Sequence, residues 1–114
     1  MKILYHKNFL KNYKKRITPN HQLSIKFKSQ LEKFVENSFD PTLRNHKLIG
    51  RMSEYWSFSV TGDIRVIYKV VDKEVLLFDI GSHNQVYWFL QSPINILEVV
   101  SYIKLSNLGR DGET

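Results

Sequence analysis

The sequence predicts an α+β fold: an N-terminal two-helix hairpin packed on a small twisted, mainly antiparallel sheet, with a C-terminal helix. Three observations carry this. The chain has 114 residues, 42% of them hydrophobic, which suits one domain with a single core and is too apolar for a disordered tail. Helical periodicity fills much of the first 40 residues, and three strand-like segments separated by turn residues follow between Tyr55 and Ile80.

MKILY can form a short first strand. From Asn8 the pattern turns helical: Phe9, Tyr13 and Ile17 fall within about a quarter turn at 100° per residue, with Lys7, Lys11, Lys14 and Lys15 opposite. Thr18-Pro19 breaks this helix and can start another, because proline is tolerated in a first turn. The second helix carries the stripe Leu23, Phe27, Leu31 and Phe34, bordered by Lys26, Lys28 and Lys33. Phe39-Asp40-Pro41 ends it, and NHKLIG reads as a loop or a short extended segment.

The strands are Tyr55 to Val60, Ile64 to Val71 and Val75 to Ile80, joined by turns at Thr61-Gly62-Asp63 and Asp72-Lys73. A two-residue loop at Asp72-Lys73 pairs Val71 with Glu74 and would mix Arg65 into the face of Phe78 and Ile80. Shifting the register by one residue, through a three-residue loop or a bulge, aligns Ile64, Val66, Tyr68 and Val70 with Leu76, Phe78 and Ile80. It also gathers Asp63, Arg65 and His83 on the opposite face, and the first hairpin then sets Ser59 opposite Arg65. Ser92-Pro93 is a good start for a final helix through Ile96, Leu97, Val100 and Ile103. The domain is expected to end near residue 106, with residues 107 to 114 a flexible tail.

Several function classes are excluded or disfavoured. With no cysteine there is neither a disulfide framework nor a thiolate metal site. His6 and His21 show no metal spacing, and no zinc or phosphate-loop motif occurs, so neither metal nor cofactor is expected. No run of about 18 apolar residues could span a bilayer. The opening MKILYHK leads into lysines rather than a long apolar stretch, which argues against a secretory leader, so a cytoplasmic location is expected.

The net charge of +6 is unevenly spread. Residues 1 to 50 hold eleven Lys and Arg against three acids, +8; residues 51 to 114 hold six against eight, −2. A one-signed face attracts a polyanion, nucleic acid first and an acidic protein second. A merely solvated lysine surface is the plain alternative.

Asp63, Arg65 and His83, with Tyr87 close by, form a set suited to phosphodiester cleavage. Histidine can give or take a proton near neutral pH, and arginine can hold a phosphate bidentately and stabilise its growing charge. Each residue also has an ordinary structural reading: His83 as a hydrogen-bonded strand end, Arg65 as the ion-pair partner of Asp79 or Asp63, His46 as a loop histidine. Trp56, Trp88 and the tyrosines are expected in the core or at its edge.

The stretches HKLIG, GDIRVIYKV and DIGSHNQVY, in this order after two basic helices, together resemble the RelE/ParE superfamily of bacterial toxin–antitoxin toxins. Within it the likeness is to the RelE and YafQ-like messenger RNA endonucleases, over roughly residues 1 to 89. The resemblance implies a helix pair on a twisted sheet whose other face takes messenger RNA in the ribosomal A site. It implies a catalytic set of His46, from the H-x-L-x-G segment, Asp63, Arg65 as phosphate contact, His83 as general acid, and the site aromatic Tyr87. The basic residues expected to meet RNA are Lys11, Lys14, Lys15, Arg16, Lys47, Arg51 and Lys69. Two positions depart from the YafQ-like pattern: Ser59 stands where a second histidine can occur and Ile64 where a tryptophan can.

The implied reaction is metal-independent attack of a 2′-OH on the adjacent phosphate, with Asp63 or His46 as base and His83 protonating the leaving 5′-oxygen. The implied partners are messenger RNA, the ribosome and a cognate antitoxin held in a hetero-oligomer. A ParE-like poison of DNA gyrase and a binding protein of this fold without nuclease activity are the other readings.

Overall fold

The computed structural model describes residues 1–90, apart from the side chains of residues 51 and 88–90. The helix expected from Ser92, the boundary at residue 106 and the tail therefore lie outside the described residues, as does the side chain of Arg51.

Strand β1, Ile3–Tyr5, leads into helix α1, Lys7–Asn12, which continues as a π-helical turn over Tyr13–Ile17. His6 caps α1, its Nδ1 accepting from the Asn8 amide at 2.9 Å. The wider turn is marked by the Thr18 amide donating to the Tyr13 carbonyl, five residues back, at 3.0 Å. Helix α2, His21–Glu36, starts under an Asn20 cap rather than at Thr18-Pro19, the Leu23 amide donating to Asn20 Oδ1. It buries Phe27, Gln30 and Phe34 on the sheet, each phenylalanine contributing roughly 1.5–3 kcal/mol.

The NHKLIG segment supplies the two-residue strand β2, His46–Lys47, followed by β3, Trp56–Ser59, β4, Ile64–Val71, and β5, Glu74–Ser82. Helix α3, His83–Leu90, follows without a break. The five strands lie in the order β1-β5-β4-β3-β2. All neighbours are antiparallel except β1, which runs parallel to β5.

The β4–β5 register resolves the conflict between the two-residue turn and the apolar pattern. Asp72 and Lys73 form the two-residue turn, both with positive φ of 51° and 67°, and Val71 pairs with Glu74. Tyr68 then pairs with Leu77 but Ile67 with Asp79, so a bulge at Phe78 makes the shift inside the strand. The bulge corrects one sequence expectation: Leu76 and Phe78 do not share a face with Ile80. Ile80, Leu77 and Val75 pack with Val66, Tyr68, Phe58 and the helical residues Phe9, Ile17, Phe27 and Phe34. Leu76 and Phe78 turn the other way and join Leu4, Leu48, Tyr55, Ile67 and Val86. The face expected to gather polar groups thus holds a second apolar cluster as well.

Beyond β1, the outer edge of β5 is covered by a polar stripe at i, i+4, i+8 along the first helix. Asn8 Nδ2 donates to the Phe78 carbonyl at 3.4 Å, Asn12 Nδ2 to Asp79 Oδ1 at 2.8 Å, and Arg16 Nη1 to the Ile80 carbonyl at 3.0 Å. These side chains satisfy strand groups that would otherwise be orphaned.

Candidate active site

Alternation along β3, β4 and β5 sends one set of residues away from the helices. His46 pairs with Ser57, Ser59 with Arg65, and Arg65 with Gly81, so all five occupy that second face. Ser57 and Arg65 have polar atoms, Oγ and Nε, that are buried with no hydrogen-bond partner among the described residues. Such orphaned groups cost free energy unless something binds them.

His83 is not the strand end that the sequence pattern suggested; it is the first residue of α3. Ser82 and Gln85 form a reciprocal cap around it: the Ser82 amide donates to Gln85 Oε1 at 2.8 Å and the Gln85 amide to Ser82 Oγ at 3.3 Å. This S-x-x-Q signal stands in GSHNQ and was missed because the apolar run VLLF drew the segment into a strand. One turn on, the Tyr87 ring packs against the His83 imidazole with centroids 4.4 Å apart.

Tyr87 also lines a cleft of about 370 Å³ with His46, Lys47, Leu48, Ile49 and Met52. His46 and Tyr87 thus meet in one cleft, and His83 joins them through the tyrosine ring. His46 is exposed, with Nδ1 2.8 Å from the Arg44 carbonyl. A carbonyl oxygen has no proton to give, so Nδ1 carries the hydrogen, and in the neutral form of the ring Nε2 is the acceptor.

Asp63 and Arg65 lie outside the cleft walls. Arg65 is half-buried on β4, and exposed Asp63 leaves the sheet at the same end as His83, just past the Ile64–Ser82 pair. Asp79 takes Arg16, not Arg65, as its ion-pair partner, at 3.6 Å. Burial pushes the Asp79 carboxyl above its ordinary range, against the opposing hydrogen bonds from Asn12 and the Ile80 amide and the Arg16 charge.

The basic residues divide. Lys11, Lys14, Lys15 and Lys47 are exposed. Arg16 is spent in part on β5, and Lys69 lies 3.8 Å from Glu54 and 5.3 Å over the Tyr55 ring. Burial, assisted by the neighbouring Glu54, pushes the Tyr55 hydroxyl up to about 12. Trp56 is half-buried against the helix-side core. Among the described residues no three His, Asp or Glu gather as a metal site, and no helix is long and apolar enough to cross a membrane.

No curated protein matches the chain in sequence. In structure it is similar to YafQ from E. coli strain BL21(DE3), at 23% identity and a TM-score of 0.65, over 75% of this chain and 97% of that one. It is similar also to the E. coli DinJ–YafQ toxin–antitoxin complex, at 24% identity and a TM-score of 0.64, over 75% and 96%. A YoeB/ParE toxin from Agrobacterium tumefaciens shares 19% identity at a TM-score of 0.64, over 73% and 99%. These likenesses establish the fold. The family of bacterial YafQ toxins of type II toxin–antitoxin systems matches residues 1–87, from β1 through Tyr87. With the match running through the sheet, the cleft and His83, the chain belongs to the YafQ family of type II toxin–antitoxin toxins.

Proposed function

We propose that this toxin is an endoribonuclease that cuts messenger RNA in the ribosomal A site and needs no metal for the chemistry. The observation that carries the reading is the pairing of two histidines through Tyr87 on the second face of the sheet, the face that also carries Arg65, whose Nε has no partner among the described residues.

His46 is the general base. Its Nδ1 is committed to the Arg44 carbonyl, so Nε2 is the nitrogen able to take the 2′-OH proton. Asp63, the other candidate, stands outside the cleft, just before the Ile64–Ser82 pair. The activated 2′-oxygen attacks the adjacent phosphorus, and Arg65 stabilises the charge that develops on the non-bridging oxygens. His83 donates its proton to the leaving 5′-oxygen, and Tyr87 holds the imidazole and offers a ring to a neighbouring base. The exposed Lys11, Lys14, Lys15 and Lys47 meet flanking phosphates. The cell compartment of this activity is the cytoplasm, where translating ribosomes are.

A cognate antitoxin is the second partner, as a DinJ–YafQ complex exists for the E. coli toxin. An acidic segment that orders on the basic helices fits the charge of the first half of the chain.

The test is mapping of message 5′ ends on translating ribosomes. New ends inside codons are expected, and His83→Ala should lower cleavage by about 10²- to 10⁴-fold with ribosome binding kept. Normal cleavage by that variant overturns the assignment. DNA damage with intact messages would instead mark a gyrase poison, and neither effect a binding protein.

A further inference from the structure

We propose that Arg16 and Arg65 together form a two-guanidinium site for a phosphodiester, with Arg16 standing in for the side chain that Gly81 lacks. The proposal rests on the nuclease reading for its substrate, although anion binding is its own observable.

Arg65 and Gly81 are cross-strand partners, so any side chain at residue 81 would project beside that of Arg65. Residue 81 has none, and the space is filled from another element. A Cβ built on Gly81 would lie 2.6 Å from Arg16 Nη1, 3.2 Å from Arg16 Cδ and 2.7 Å from Gln85 Oε1. Since paired Cβ positions are about 5 Å apart, the Arg16 guanidinium reaches within about 8 Å of the Arg65 Cβ. A methyl group at residue 81 would make the ends of the Arg16 and Gln85 side chains give way.

The π-helical turn over Tyr13–Ile17 is what delivers Arg16 there, while its neighbours Lys14 and Lys15 stay exposed. Arg16 Nη1 is occupied by the Ile80 carbonyl and lies near Asp79 Oδ1. Five N–H donors belong to a guanidinium, so Nε and Nη2 remain to meet a ligand. The side chain is 21% exposed, which leaves it reachable from solvent yet fixed in direction. Arg65 contributes a buried Nε with no partner among the described residues. Asp79 lies against Arg16. A phosphate bridging the two arginines would carry charge opposite to both and satisfy the orphaned donor. His83, two residues past Gly81, then stands beside the bound phosphate.

The experiment follows the arginine Nε–H resonances of the purified chain during titration with inorganic phosphate. Those of Arg16 and Arg65 should shift together with one affinity. Arg16→Gln, which keeps a donor for the Ile80 carbonyl, should weaken binding by about tenfold to a hundredfold, the loss expected for charge-assisted hydrogen bonds. Arg16→Lys should fall between, as a point charge without the fork. Gly81→Ala, which keeps both arginines in the sequence, should weaken binding by displacing the Arg16 side chain. A phosphate response at Arg65 with Arg16 unmoved overturns the site, and so does silence at both, or wild-type affinity in Arg16→Gln. Cleavage separates the two readings. If phosphate binds as described but the wild type cuts no RNA, the nuclease reading fails and the anion site stands. If the wild type cuts RNA and Arg16→Gln cuts equally well, the anion site fails and the nuclease reading stands.

Discussion

Asp79 shows how a residue can look polar in sequence and be settled by neighbours the sequence does not announce. The sequence offered Arg65 as its partner, because register analysis sees only the sheet. Its actual neighbours, Asn12 and Arg16, come from the first helix and its π-helical turn, and an i→i+5 hydrogen bond leaves no periodic trace in five residues. Burial raises the folded-state pKa of Asp79 above its ordinary value of 3.8. The folded protein therefore holds this proton more tightly than the unfolded chain. Its contribution to stability is fully present below 3.8 and is lost as pH rises through the folded-state value. Relative to Asp79→Asn, the wild type should gain thermal stability as pH falls through that window; paired melting curves would check it, and a difference independent of pH would contradict it. Tyr68 is a simpler case. Burial pushes its hydroxyl up to about 12, and it donates to Asn45 Oδ1 at 2.6 Å. Tyr68→Phe should cost about 1 kcal/mol in denaturant unfolding.

At the scale of elements, the stripe of α2 was legible because burial on one face leaves a helical period, and the three hairpin strands because turn residues bound short apolar runs. The start of α3 was not, although its capping pair stands in plain view, because a run of apolar residues says nothing about where strand yields to helix. Ser82→Ala and Gln85→Ala should each cost about 1 kcal/mol, and both should lower RNA cleavage more than they lower RNA binding, since His83 is the first residue held by the cap. Equal loss of cleavage and binding in titrations would argue that the cap does not aim the histidine. The Asp72-Lys73 turn places two residues with side chains at positive φ. Replacing both, Asp72→Asn with Lys73→Gly, should stabilise the chain by up to about 1 kcal/mol without touching the site.

Across the whole molecule, most of the charge and most of the chemistry come from different elements: exposed Lys11, Lys14, Lys15, Lys26 and Lys28 lie on the helical segments before residue 37, while His46, Arg65 and His83 come from the sheet and α3. His46, Asp63, Arg65 and His83 could be nominated from sequence because each carries chemistry in its side chain. Gly81, which carries none, and the Leu48–Met52 wall of the cleft could not, since their part is the space they leave or enclose. If the lysines meet phosphates, RNA affinity should fall steeply with salt. Each of Lys11, Lys14 and Lys15 replaced by glutamine should flatten the log–log slope by about 0.7 for single-stranded RNA; an unchanged slope in the triple variant would place the RNA elsewhere.

The bulge at Phe78 makes β5 serve two masters, and which one each residue serves depends on whether its place is odd or even. Before the bulge, even-numbered Leu76 faces away from the helices; after it, even-numbered Ile80 faces toward them. The molecule has in effect changed its counting in the middle of a strand. Point substitutions leave that count intact, and so does loss of the extra residue: without Phe78 the two strands run step for step, with Ile80 still toward the helices and Gly81 away from them. The cost of that deletion is the ring that Phe78 gives the second cluster, whereas a letter added between Val75 and Ile80 has no such remedy, so β5 should bear one missing letter there better than one extra.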